Sequence, residues 1–223
     1  SGIPSAPGMS TDLHTLAIRQ LRRVLTNLQM ILRLAAADLE ARGIDESVLL
    51  ASRLYPDMFD LQQQVQAATD IARRGAARLI GEEPSSLPDN APSFEGLIAR
   101  IDTTLSQLEA FPAEAFIGKE QTTVTMPIPK SFGGGKLTFN ALEFLTDFLL
   151  PNVYFHTTTA YAILRHNGVN IGKRDFLGME LSSSGARDAS CSNLDSATEQ
   201  GWRHRRAAPR AQLRGQGLIR YSR

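Results

Sequence analysis

From Leu13 onward apolar positions recur every three or four residues. Leu13, Ala17, Leu21, Val24, Leu28, Leu32, Ala35 and Leu39 share one face of a 3.6-residue period and predict a long amphipathic helix. Ser10 or Thr11 stands where a cap is needed, and Gly43 ends the run, because glycine enters the left-handed conformation without a Cβ penalty. Residues 45–54 read as a short helical turn closed at Tyr55-Pro56, since the residue before a proline is pushed out of the helical region. Leu61, Val65, Ala68, Ala72, Ala76 and Leu79 form a second long stripe that stops at Gly81. Pro84, Pro88 and Pro92 mark an extended connection. Ser93 then caps a third helix, lined by Phe94, Leu97, Ile98, Ile101, Leu105 and Leu108 until Phe111-Pro112.

The period changes between Thr122 and Phe139. Alternating residues on either side of Gly133-Gly134-Gly135 read as a small β-hairpin. Asn140 caps a fourth helix whose stripe is Leu142, Leu145, Leu149, Val153, His156, Ala160 and Ile163, ending at Asn167-Gly168. Pro151 falls inside it and is expected to kink it, having no N–H to donate and a ring that crowds the preceding turn. These elements predict an all-α fold over residues 9–178: an antiparallel, up-and-down four-helix bundle with a small hairpin between helices three and four. Residues 1–8 (SGIPSAPG), small and rich in Pro and Gly ahead of Met9, read as an expression remnant or a leader.

Charge sharpens this division. Of 223 residues, the first 178 carry 16 Lys and Arg against 19 Asp and Glu, while residues 179–223 carry eight Arg, no Lys and four acids. The tail also holds seven Ser, the lone Cys191 and the lone Trp202, and lacks any apolar period, so it reads as disordered. Its arginine-without-lysine composition equally fits a non-native, out-of-frame translation. A mildly acidic body gives no footprint for nucleic acid, whose phosphates demand clustered cations. No apolar run is long enough for a membrane span and no secretory signal is visible, so a cytoplasmic protein is expected. One cysteine excludes an internal disulfide and a zinc ribbon.

The chemistry-bearing residue that stands out is His156. It lies 11 positions after Leu145 and seven after Leu149, within about 20° of both on a helix, and so faces the interior. A histidine there is either bonded to a neighbouring helix or serves a pocket as ligand or general base. Asn152, one turn earlier, can share that pocket or satisfy backbone freed at Pro151. Gln62, Gln66 and Asp70 stack at four-residue intervals beside the second stripe, as a solvated or subunit-facing edge or as a polar wall opposite His156. Tyr161 is a further pocket candidate; Tyr154 and Arg165 flank it in packing and surface positions. His166 is about 15 Å along the axis from His156 and cannot share an ion with it; its place in the last turn suits the helix dipole. His14 and His204 read as surface residues. Gly133-Gly134-Gly135-Lys136 is no phosphate loop: Leu137 stands where Ser or Thr is needed, and a strand follows instead of a helix.

Several longer strings resemble one family. Tyr55-Pro56-Asp57-Met58-Phe59 with Leu61-Gln62-Gln63-Gln64-Val65-Gln66, Leu150-Pro151-Asn152-Val153-Tyr154-Phe155-His156, Tyr161 to Gly168, and Gly172-Lys173-Arg174-Asp175-Phe176-Leu177-Gly178 resemble a domain-of-unknown-function family within the DinB/YfiT-like superfamily. The resemblance covers nearly all of 9–178 and implies a four-helix bundle, commonly a homodimer. It also implies relatives that act as metal-dependent enzymes or thiol-dependent transferases, with a metal held by one histidine on helix two and a His-x-x-x-His pair on the last helix. This sequence departs from that pattern. Ala160 follows His156 at the fourth position, and helix two offers Gln62, Gln66 and Asp70 but no histidine. With Gln66 in the helix-two place, the ligand would be an amide oxygen, poor for a borderline-soft ion. No tightly bound cofactor is therefore expected; a divalent metal held weakly at His156 remains the only metal candidate. The resulting expectation is a bundle that binds an unknown small molecule around His156. The alternatives are a degenerate metal-dependent transferase or hydrolase, and a structural or interaction module.

Overall fold

A computed structural model describes residues 12–83, 93–128, 130 and 133–179. The expected leader, the proline-rich connection at 84–92 and all but the first residue of the basic tail lie outside the described residues, as do Cys191 and His204. The described chain is mostly helical, with one small antiparallel sheet. Its elements are α1 (Leu13–Arg42), α2 (Glu46–Leu50), α3 (Leu61–Ile80), α4 (Phe94–Glu109), a 3-10 turn (Ala113–Phe116), β1 (Thr123–Pro127), β2 (Lys136–Asn140), α5 (Ala141–Glu143), α6 (Leu150–His166) and α7 (Lys173–Leu177).

The helix boundaries follow from local chemistry. Asp12 caps α1 by accepting from the Thr15 N–H at 2.6 Å, a role the sequence placed on Ser10 or Thr11. Asp60 and Gln63 form a reciprocal capping box at the start of α3, and Gly81 closes that helix at φ +84°. Ser93 caps α4, while Asn140 with Glu143 forms a second capping box at α5. β1 and β2 pair from Thr123 opposite Asn140 to Pro127 opposite Lys136, as the hairpin pattern predicts. Gly133 to Gly135 all have positive φ in the connection between the strands.

The fourth helix departs from expectation. Between α5 and α6, residues Phe144–Leu149 form a π-helical segment, with the Leu150 N–H donating to the Leu145 carbonyl five residues back. Pro151 follows directly, in the first turn of α6. The helix changes type directly ahead of the position where the kink was expected. An extra residue in one turn rotates what precedes it by about 100°, which accounts for Leu142, placed on the buried stripe by a constant period, being 38% exposed. Phe144 and Leu145 are buried instead, and Phe144 and Phe148 pack with Phe139 of β2.

The core is lined by Leu21, Leu25, Leu28 and Leu32 of α1, Leu61, Val65, Ala68 and Ala72 of α3, Leu97 and Ile101 of α4, and Val153, Ala160 and Ile163 of α6. Helix α3 packs most extensively on α6 and also on α4; α1 packs on α4 and α6, with only a small contact to α3. Named contacts give the directions. Gln29 reaches Ile98 and Asp102 while Arg22 pairs with Glu109, so α1 and α4 are antiparallel. Tyr154 meets Gln20 and Arg42 meets the Asn167 carbonyl, so α1 and α6 run the same way. Gly75 abuts Leu149 and Gln64 meets His156, so α3 and α6 are antiparallel. The consecutive helices α3 and α4 are therefore parallel. This corrects the strict up-and-down alternation: an apolar stripe says that a face is covered, not which helix covers it or in which direction.

Candidate functional site

His156 stands on α6 between the buried Val153 and Thr157, and its ring is half-buried. Its partner is Gln64, in the second turn of α3, whose Oε1 is 2.7 Å from His156 Nδ1. Gln64 is almost fully buried, at 1% exposure, and its Nε2 donates to the Phe59 carbonyl at 3.2 Å. The Phe59 ring lies nearly parallel to the imidazole at a centroid distance of 6.3 Å, and Phe155 presents an edge at 5.3 Å. Both phenyl groups are exposed, so the imidazole lies between an apolar interior and an aromatic rim. Burial pushes its pKa below the ordinary value of 6.5 by disfavouring the charged form. The ring is thus a neutral base near pH 7.

The sign of the linkage follows. The unfolded chain takes up a proton near pH 6.5 and the folded chain only below it, so the unfolded state holds more protons in the window between. Stability is therefore full above about pH 6.5 and falls as the pH drops through that window. Urea midpoints between pH 7.5 and 5 should decline less steeply in His156→Gln than in the wild type. Identical profiles would contradict the assignment.

The other residues singled out in the sequence do not converge on His156. Asn152 donates its side-chain amide to the carbonyl of Phe148, within the π-helical segment, at 2.6 Å. Tyr161 packs edge-on against Phe176 of α7 at 5.7 Å. Asp70 turns to α4: its Oδ1 is 2.9 Å from Arg100 Nη2 and 3.3 Å from Arg73 Nη2, while Arg100 Nε donates to Thr69 Oγ1 at 2.8 Å. Gln66 is half-buried, its Nε2 enclosed and without a hydrogen-bond partner among the described residues. Gln62 is half-buried in the first turn of α3. Tyr154, two residues before His156 and so on another face of α6, lines a groove of about 260 Å³ with Gln20, Arg23, Asn27 and Phe176. Burial raises the Tyr154 pKa there. His14 packs on Phe116, and His166 is exposed at the end of α6.

Gln64 is the residue that the sequence reading passed over. The signal was present: Leu61, Gln64, Val65, Ala68 and Ala72 fall on one helical face, so Gln64 is a polar residue in the apolar stripe, as His156 is in its own. The residues at four-residue spacing, Gln62, Gln66 and Asp70, lie beside that stripe.

The donor set can be weighed against the metal that the resemblance implies. Among the described residues no three His, Cys, Asp or Glu side chains are grouped so as to hold an ion. Around His156 the neighbours are one amide oxygen already engaged by Nδ1 and two phenyl rings, which does not fit a three-histidine site. No described helix is long and apolar enough to cross a membrane.

A helical chain of this build with a small hairpin is similar to proteins of the DinB class. A solved structure, that of a DinB family member protein from Shewanella denitrificans, is 37% identical, with a TM-score of 0.67, covering 78% of this chain and 96% of that one. Residues 13–177 match the model of a domain of unknown function, DUF1993, and the chain belongs to that family. None of the curated proteins matches it.

Proposed function

We propose that the four long helices form one DinB-type four-helix bundle whose function is to bind a small molecule at His156, with the exposed rings of Phe59 and Phe155 receiving its flat or apolar part. The observation that carries this reading is the hydrogen bond from His156 to the buried Gln64, which leaves a neutral, half-exposed imidazole fixed at an aromatic rim. Small-ligand sites commonly set a few oriented polar groups beside apolar and aromatic side chains. The alternative of a degenerate metal-dependent transferase or hydrolase has one histidine in its favour, with no group of three candidate ligands among the described residues.

Chemical-shift mapping with small aromatic fragments tests the reading. Fragments that bind should shift the ring resonances of His156, and Phe59→Ala should weaken them about three- to tenfold, the worth of one aromatic contact. Shifts confined to the groove at Tyr154, or unchanged in His156→Ala, would overturn it. Elemental analysis of the same samples addresses the alternative: a stoichiometric metal lost in His156→Ala would favour the metal-dependent reading.

A further inference from the structure

Building on His156 as the ligand-receiving group, we propose that the site selects molecules carrying a hydrogen-bond donor, an O–H or N–H on a flat apolar body, and discriminates against the same molecules with that hydrogen replaced by methyl. The inference begins at the Phe59 backbone. A carbonyl oxygen can only accept, so the Gln64 atom facing it at 3.2 Å must be the amide nitrogen. This settles which end of the Gln64 side chain points where, a choice that must come from hydrogen-bond partners.

The other end of the amide, Oε1, therefore faces His156 Nδ1 at 2.7 Å. An amide oxygen also only accepts, so Nδ1 carries the hydrogen. A neutral imidazole has one N–H, and burial holds this ring in its neutral form near pH 7. Nε2 is then the lone-pair nitrogen, able to accept a hydrogen bond or a proton and unable to donate. The relay from Phe59 through Gln64 to His156 thus sets the polarity of the site. Gln64 is a positioning residue within it, held by burial in the α3 stripe. Flipping its amide would set two acceptors against each other at Phe59, so the relay has one stable sense. Phe59 contributes both the carbonyl that orients Gln64 and a ring beside the imidazole, which couples the rim to the tautomer.

The test uses the full chain at pH 8, with phenol and anisole as probes. Nitrogen-detected NMR of the ligand-free protein should give a proton-bearing Nδ1 and a bare Nε2 for His156. Phenol should bind about tenfold more tightly than anisole, the worth of one hydrogen bond. Gln64→Met, close to glutamine in shape, should shift the ring toward the Nε2–H tautomer and narrow that preference. Equal affinity for the two probes, or an Nε2–H tautomer in the wild type, overturns the inference while leaving binding at His156 intact. If neither probe moves the His156 signals, the underlying reading falls and the inference with it. The ligand-free wild-type tautomer is readable even where Gln64→Met folds poorly.

Discussion

Asp70→Asn should lower the unfolding free energy by about 3 kcal/mol, near the low end of the cost of breaking a buried ion pair. Arg73 and Arg100 are 3% and 7% exposed, and both direct a guanidinium nitrogen at the same Asp70 oxygen. Asparagine keeps the shape and removes the charge that the two buried arginines share, while their other contacts remain. The Asp70 side chain is 28% exposed, so water offsets part of the loss and the upper end of the range is not reached. Arg100→Met should cost less in the Asp70→Asn background than alone, because the two substitutions act on one pair. Urea titration of both single variants and the double gives the coupling. Additive losses, or a loss under about 0.5 kcal/mol for Asp70→Asn, would show the cluster to be a surface pair of the ordinary weak kind.

The second large effect concerns the contact of Gly75 on α3 with Leu149, the last residue of the π-helical segment that leads into α6. Alanine is a better helix former than glycine by about 1 kcal/mol, so Gly75→Ala should stabilise α3 if propensity decided the matter. A Cβ at Gly75 would instead meet Leu149 Cδ2 at 2.7 Å and Cγ at 3.0 Å, inside a contact where Leu149 is fully buried. Overpacking of this kind costs about 1–3 kcal/mol. The expected result is a net loss of up to about 2 kcal/mol by thermal or urea unfolding, after the propensity gain is set against it. Leu149→Ala should be less damaging in the Gly75→Ala background than in the wild type, because the new methyl fills part of the space vacated. A stabilised Gly75→Ala would mean that α3 and α6 do not approach at this register.

Much of this was legible in the residues. The three stripes at Leu13, Leu61 and Phe94, together with Gly43, Gly81 and Ser93, mark helix faces and ends by local chemistry alone, and local chemistry survives folding. The start of the fourth helix was less readable because the stripe from Leu142 assumes a constant 3.6 period, which the π-helical segment before Pro151 interrupts. The parallel course of α3 and α4 depends on which faces meet, a tertiary choice that amphipathicity leaves open. At the candidate site, His156 is visible as a polar residue in an apolar stripe. Gln64 obeys the same rule on α3, but attention to a ligand-like four-residue spacing leads to Gln62, Gln66 and Asp70. Of these, Asp70 belongs to the arginine cluster with α4.

These threads meet at one pair of side chains, Gln64 and His156, set on antiparallel helices with an aromatic rim beside them. The most direct measurement is a crystal structure of the full chain grown with phenol. The expected density has the phenol ring against Phe59 or Phe155 and its oxygen about 2.7–3.0 Å from His156 Nε2, with Gln64 Oε1 still on Nδ1. Phenol bound elsewhere on the protein, or a Gln64 side chain turned away from His156, would contradict the assignment.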